Sequence, residues 1–222
     1  MTITKVYTEP PICEKEILRY AGCKNSAQGS LQFSVGDENL ENLYRECCKE
    51  ILPRLSYKVC YIELPLDISE NTCDFGCIKV QSKDLVKNLQ GCNRAIVFAA
   101  TIGVEMDRLI AKYSRISPAK ALLFQAIGTE RIEALCDAFC EDVGCLHPRF
   151  SPGYGDAPLE IQRDILQILD ASKRIGLSLN DSLLMSPSKS VTAFVGIGSS
   201  IERNEKIKCA ACDKTDCAYR GV

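Results

Sequence analysis

Hydrophobic residues recur at helical spacing in six stretches of the chain. Side chains three or four positions apart share one face of a helix, so these stretches are predicted to form amphipathic helices. Gly22 and Pro53 follow the first two stretches and are typical of helix ends, and Ser82 and Ser117 precede two others as N-caps. The predicted helices span residues 14–21, 37 or 39 to 52, 82–89, 104–113, 117–139 and 156–175.

Four other stretches have the pattern of β-strands. Residues 57–64 alternate imperfectly between apolar and polar positions, and residues 75–80 are predicted to pair with them as a hairpin arm. Residues 95–100 are apolar without interruption, which predicts a strand buried on both faces. Residues 191–197 form the last predicted strand.

The predicted helices and strands interleave without a regular βα alternation. We therefore expect an α+β fold, a single domain with a mainly antiparallel twisted sheet flanked by helices. The domain is expected to span residues 1–200, followed by a short Cys-rich C-terminal tail at 201–222.

The loop before the predicted helix at 156–175 combines residue types that suit a small ligand. Arg149 supplies a planar cation that matches a carboxylate or a phosphate. Gly153 and Gly155 permit positive φ angles and a close approach to the main chain, and Tyr154 between them offers an aromatic face. Asp156 is predicted to be the N-cap of the following helix. The same residues are also typical of a well-capped connection between a strand and a helix.

Composition and charge narrow the function. A net charge of −2 over 222 residues argues against a nucleic-acid-binding protein, and no stretch resembles a signal peptide or a membrane span, so we expect a cytoplasmic protein. His147 is the single histidine, which makes a histidine-rich zinc site or a Ser-His-Asp triad hard to build. A lone histidine before a proline is typical of a turn, and we leave His147 out of the predicted site.

Fourteen cysteines are a high number for a cytoplasmic chain of this length. Cys209, Cys212 and Cys217 have a spacing that lets three thiolates reach one zinc ion or iron–sulfur cluster, with a fourth position left open. The alternative is a tail whose thiols stay reduced. Three other pairs are predicted to be packed core thiols: Cys136 and Cys140, Cys47 and Cys48, and Cys73 and Cys77.

Short motifs in a fixed order resemble a known family. Residues 149–154 (RFSPGY), 175–182 (IGLSLNDS) and 185–191 (MSPSKSV) occur in the order and spacing found in the activation domain of cobalamin-dependent methionine synthase. An early Arg-Tyr-x-Gly at 19–22 and an Ala-Thr-x-Gly at 100–103 fit the same pattern. The chain therefore resembles a free-standing version of that domain, with the resemblance covering residues 14–198.

The resemblance implies that the RxxPGY loop binds S-adenosylmethionine. Arg149 would hold the methionyl carboxylate, the main chain around Ser151 and Gly153 would contact the ligand, and Tyr154 would flank it. These roles agree with the chemistry of the residues, because a carboxylate pairs well with arginine and a sulfonium is stabilised near an aromatic face by about 0.5–2 kcal/mol.

An acidic residue from the long helix is also implied near the ligand. Glu133 and Asp137 are both candidates, with Glu130 as a third, and the motifs do not choose between them.

The family also implies partners. Cobalamin would be held by a methionine synthase subunit, and an electron donor such as flavodoxin or ferredoxin would reduce its cobalt for methylation by S-adenosylmethionine. The chain would then be a component of a methyltransferase rather than a complete catalyst. Two alternatives stay open: a metal- or iron–sulfur-carrying redox protein that acts on another corrinoid protein through its C-terminal cysteines, and a fold relative that serves only as a binding module.

Overall fold

The computed structural model of the chain describes residues 1–22, 38–144 and 147–197. The helices in these ranges are α1 (Glu14–Tyr20), α2 (Glu38–Ile51), α3 (Lys83–Asn88), α4 (Glu105–Ile116), α5 (Pro118–Asp142), α6 (Ile161–Leu169) and α7 (Ala171–Ile175). The strands are β1 (Ile3–Val6), β2 (Lys58–Pro65), β3 (Asp67–Ser69), β4 (Thr72–Asp74), β5 (Lys79–Gln81), β6 (Arg94–Thr101), β7 (Ser178–Leu179), β8 (Met185–Ser186) and β9 (Ser190–Ile197).

An antiparallel sheet with the strand order β1-β2-β6-β9 forms the centre of the domain. Phe98 in the middle of β6 lies opposite Tyr61 of β2 on one side and Ala193 of β9 on the other. Two smaller antiparallel sheets, β3-β4-β5 and β7-β8, lie in the connections. The predicted α+β class with a mainly antiparallel sheet is confirmed.

Strand β6 is buried on both faces, as its unbroken apolar sequence predicts. Ile96 and Phe98 point into one hydrophobic core, and Val97 and Ala99 point into the other, because successive side chains of a strand alternate between faces. The first core is covered by α1, α2, α4 and α5, and the second by α3, α6, α7 and the small sheet β3-β4-β5. The sheet therefore lies between two helical layers.

Helix α5 is the long helix predicted from the Ser117-Pro118 start, and it packs along α1, α2 and α4. Gly128 in its middle has a packing role. A Cβ atom at this position would lie 2.9 Å from Cγ of Met106 and 3.0 Å from Cε of Lys189. Only a glycine lets α4 and the segment before β9 approach the helix this closely.

The predicted hairpin between residues 57–64 and 75–80 is wrong. Strand β2 has β1 on one side and β6 on the other, so both of its hydrogen-bonding edges are occupied. Residues 79–81 instead pair with β4, and the turn between these strands is closed by a hydrogen bond from the Phe75 amide to the Ile78 carbonyl, at 2.9 Å.

The predicted N-cap role of Asp156 for the helix that follows it is also wrong. Helix α6 begins five residues later, at Ile161, and the Asp156 carboxylate accepts hydrogen bonds from the main-chain amides of Lys83 and Asp84 at 2.8 and 3.2 Å. It also accepts one from the Ser82 hydroxyl. Asp156 thus caps α3, which comes more than seventy residues earlier in the chain.

The single helix predicted for residues 156–175 is divided into two. Asp170 adopts a left-handed conformation with φ 49°, which ends α6 and begins α7. Gly176, with φ 74°, ends α7 as the sequence predicts.

None of the described helices is both long enough and apolar enough to cross a membrane. The predicted tail at 201–222, with its cysteines, lies outside the described residues.

Candidate functional site

A cleft of about 720 Å³ lies between α5 on one side and α1 with the preceding segment on the other. We call residues 7–13 the N-terminal arm. The lining residues are Pro10, Pro11 and Cys13 of the arm, Glu16, Arg19 and Tyr20 of α1, Glu130, Glu133, Ala134, Asp137, Ala138 and Glu141 of α5, and Arg149.

The α5 wall of the cleft follows helical spacing. Glu130, Glu133, Asp137 and Glu141 are separated by three or four positions, so their side chains lie along one face of the helix. The intervening Ala134 adds little bulk, which leaves space above the helix surface. The structure thereby brings all three predicted acidic candidates to one wall.

Arg149 reaches this wall from the loop after α5. Its Nη2 donates to Oε2 of Glu133 at 2.7 Å, and its Nη1 donates to Asp137. Burial of the guanidinium disfavours its charge, but the neighbouring acidic groups of α5 outweigh this effect and raise the pKa of Arg149 above its ordinary value. The side chain of Arg149 is 20% exposed, against 44% for Glu133 and 62% for Asp137, so the two carboxylates are more accessible than the cation.

Glu130 has a different role from Glu133 and Asp137. It is buried and accepts two hydrogen bonds from the guanidinium of Arg131, at 2.5 and 2.6 Å. Arg131 also donates to the carbonyls of Pro10 and Pro11 at 2.6 and 2.7 Å, and Glu130 accepts from the main-chain amide of Cys13 at 2.9 Å. This buried ion pair holds the N-terminal arm against α5 and so fixes one wall of the cleft.

Sequence reasoning named Glu130 as a candidate but missed its buried partner Arg131 and the N-terminal arm as parts of the site. The early Arg-Tyr-x-Gly motif was a usable signal, since Arg19 and Tyr20 both line the cleft. Arg19 stacks on the ring of Tyr20 at 4.6 Å and pairs with Glu16 at 2.5 Å. Its third guanidinium nitrogen, Nη1, is buried without a hydrogen-bond partner among the described residues.

The rest of the predicted ligand loop lies beside the cleft and does not line it. Phe150 is bonded to Phe194 of β9 through both main-chain groups, at 3.0 and 2.9 Å, which attaches the loop to the sheet edge. Ser151 is half-buried and its carbonyl accepts from the Tyr154 amide at 3.1 Å. The Tyr154 side chain is 71% exposed and contacts the edge of the Phe150 ring. Gly153 has φ 81°, a conformation that favours glycine, and a Cβ atom at this position would lie 2.9 Å from Cδ1 of Leu159.

His147 pairs with a thiol outside the cleft. Its Nδ1 lies 3.0 Å from the Asn88 carbonyl oxygen and must donate to it, which leaves Nε2 to accept from the Cys92 thiol at 3.2 Å. This contact fixes the start of the ligand loop against the end of α3.

Three of the six cysteines predicted to be core thiols are buried, namely Cys47, Cys73 and Cys136, and Cys48 and Cys140 are half-buried. Burial raises the pKa of the Cys47 thiol to about 12 and that of Cys73 to about 11, and it also raises the pKa of Cys136. Cys77 is exposed, because it lies in the turn between β4 and β5. Within residues 1–22, 38–144 and 147–197, no cluster of three or more metal-ligating side chains is present. The predicted metal ligands Cys209, Cys212 and Cys217 lie outside these ranges.

No protein-family profile and no curated protein sequence matches the chain. Among solved structures, the chain is similar to the MetH reactivation domain bound to AdoHcy, with a TM-score of 0.65. The similarity covers 91% of this chain and 81% of the other, at 14% sequence identity. The chain therefore has the fold of the MetH reactivation domain, which agrees with the resemblance to the methionine synthase activation domain that its motifs indicate.

Proposed function

We propose that this protein binds S-adenosylmethionine in the cleft between α1 and α5 and supports the reductive reactivation of a cobalamin-dependent methionine synthase. The observation that carries the proposal is an open cleft at Arg149, the first residue of the RxxPGY motif, in a fold shared with a domain that was solved with AdoHcy bound. A volume of about 720 Å³ is within the range of small-ligand sites.

Arg149, Glu133 and Asp137 are the proposed polar residues of this site. Ser151, Gly153 and Tyr154 are proposed to approach the ligand from the adjoining loop, with the exposed Tyr154 ring available to cover a sulfonium. The protein itself contributes binding and orientation of the methyl donor. The methyl group would be transferred to cobalt in a partner subunit that holds the cobalamin, with electrons from a donor such as a flavodoxin or ferredoxin.

Isothermal titration calorimetry with S-adenosylmethionine tests the binding step. We expect micromolar-to-millimolar binding to the wild type and a loss of at least tenfold in Ala134→Trp, because the indole would fill the cleft without changing its charge. Ala111→Trp is the matched control, since Ala111 is exposed on α4 and outside the cleft. Absence of binding to the wild type, or equal binding to both variants, would reject this site.

A further inference from the structure

A second groove, of about 490 Å³, lies between helix α6 and strand β7 and shares no residue with the cleft at Arg149. We call it the α6–β7 groove. One wall is the face of α6 that carries Arg163, Leu166, Gln167 and Asp170, which are three or four positions apart. The other wall is residues 177–179. The proposed function uses neither wall.

Strand β7 runs antiparallel to α6, because hydrogen bonds join the two elements at both ends of the groove. At one end the Leu177 amide donates to the Ala171 carbonyl, which directly follows α6, at 3.3 Å. At the other end Nη2 of Arg163, in the first turn of α6, donates to the Asp181 carbonyl at 3.2 Å. The edge of β7 that is not paired with β8 therefore faces the helix.

This edge of β7 has open main-chain groups. Ser178 lies opposite Ser186 of β8, and the Asn180 amide donates to the Leu184 carbonyl at 3.1 Å. Hydrogen-bonded and non-hydrogen-bonded pairs alternate in an antiparallel ladder, so the N–H and C=O of Leu179 point away from β8 and towards α6. An unpaired strand edge beside a helix is an arrangement that binds extended peptides by strand addition.

The side chains give the groove an apolar floor with opposite charges at its two ends. Leu166 and Leu177 are buried, and Leu179 is half-buried. Arg163 is exposed and forms no ion pair with a described carboxylate. Asp170 follows one helical face further on, about 10 Å along the axis, and its described ion pair is a long one of 3.6 Å to the exposed Lys173.

We infer that the α6–β7 groove binds an extended segment of a partner protein that has an acidic residue at its N-terminal end and a basic residue at its C-terminal end. Antiparallel addition to β7 places the N-terminal end of the segment at Arg163 and the C-terminal end at Asp170, so each charge meets its opposite. The central residue would exchange two hydrogen bonds with Leu179. Apolar side chains on one face of the segment would rest on Leu166 and Leu177. This inference does not depend on binding of S-adenosylmethionine.

Two five-residue peptides of the same composition test the inference by NMR titration of the ¹⁵N-labelled protein. The matching peptide is acetyl-Glu-Val-Ser-Val-Lys-amide, and the reversed peptide is acetyl-Lys-Val-Ser-Val-Glu-amide. We expect the matching peptide to shift the amide signals of Leu166 and Leu179 and to bind in the millimolar range. The reversed peptide should bind about three- to tenfold more weakly, because two exposed attractive pairs become repulsive.

Methylation of single peptide nitrogens tests the main-chain contact. N-methylation of the central serine removes the donor to the Leu179 carbonyl and should abolish the shifts. N-methylation of the preceding valine should be tolerated, since successive N–H groups of a strand point to opposite edges. Equal effects of the two methyl groups would overturn strand addition.

Charge variants test the two ends of the groove. Arg163→Glu makes both ends negative and Asp170→Asn removes one charge, so each should bring the ratio of the two affinities towards one. Asparagine is chosen at Asp170 because it tolerates the left-handed conformation of this residue. Arg108→Glu is the control, because Arg108 is an exposed arginine of α4 outside the groove, and it should keep the wild-type ratio.

The inference is overturned if neither peptide shifts the signals of Leu166 and Leu179 at about 5 mM, well above the expected dissociation constant. It is also overturned if the wild type binds both peptides equally. A preference for the matching peptide that Arg163→Glu removes and Arg108→Glu preserves supports it.

Discussion

Arg131 is the bulkiest side chain without solvent exposure among the described residues. Burying a guanidinium is costly unless each polar group finds a partner, and Arg131 meets this condition through Glu130 and two carbonyls of the N-terminal arm. Arg149 differs because it is only partly buried and its carboxylate partners are open to the cleft. Arg131 therefore stabilises the fold, and Arg149 holds carboxylates of α5 in the candidate site.

Replacing Arg131 tests its architectural role. We expect Arg131→Met to lower the free energy of unfolding by about 3–5 kcal/mol, because Glu130 would remain buried without its cation. Urea denaturation followed by circular dichroism measures the effect, with the exposed Arg45→Met as the control. A loss below about 1 kcal/mol would show that the ion pair contributes little beyond its desolvation cost.

Helix α3 illustrates how one element is completed by another that is distant in sequence. Its six residues are too few for a stable isolated helix. The Ser82 hydroxyl accepts from the Leu85 amide at 3.0 Å, and Asp156, from the loop before α6, accepts from the amides of Lys83 and Asp84. The cap thus links the ligand loop to α3, and the position of the loop depends on this contact.

The Asp156 cap should give a recognisable pH dependence. Hydrogen bonds from Ser82 and from the α3 amides hold the pKa of Asp156 below its ordinary value of 3.8. A carboxyl group whose folded-state pKa is lowered stabilises the fold above its unfolded-state pKa, and this contribution is lost as the pH falls through the folded-state value.

We therefore expect Asp156→Asn to be less stable than the wild type at neutral pH and the difference to shrink in acid. Thermal unfolding of both proteins from pH 7 to pH 3 measures it. Asp181→Asn serves as the control, because the described contacts of Asp181 involve only its main-chain carbonyl. A stability difference that stays constant down to pH 3 would exclude the charged cap as the cause.

At the scale of the whole molecule, the antiparallel sheet separates two cores, and the cleft is built only on the side of α1 and α5. The ligand loop starts beside this cleft and is attached to β9, so it lies at one edge of the sheet. Tyr154 and Leu159 follow Arg149 in the chain within ten residues, and both side chains are exposed. A partner that carries cobalamin would have to approach this edge to meet the methyl donor.

The partner proposal predicts a direct interaction. A purified, cobalamin-loaded methionine synthase fragment without its own activation domain should be retained by the immobilised protein, and S-adenosylmethionine should increase the retention. Ala134→Trp should remove the effect of the nucleoside, whereas Ala111→Trp should preserve it. If the fragment passes through under every condition, the accessory role in reactivation is rejected.

Local sequence determined most of the elements. The cap at Ser82, the proline in the first turn of α5, the glycines after α1 and α7, and the apolar run of β6 each act within a few residues of their element, so the sequence predicts those elements closely. The resemblance of short motifs also predicted the fold class and drew attention to Arg149. The caps, glycines and apolar runs are local signals, and the resemblance depends on the order of the short motifs along the chain.

Only the tertiary structure decided which distant residues meet. Asp156 caps α3 instead of its own helix, residues 79–81 pair within a small sheet because β2 is already bonded on both edges, and Arg131 buries its charge against an arm 120 residues away. The distribution of charge in the cleft likewise depends on contacts between residues that are distant in the chain. Whether Arg149 faces a ligand or two carboxylates of α5 depends on how the loop and the helix pack, and no local pattern contains that information.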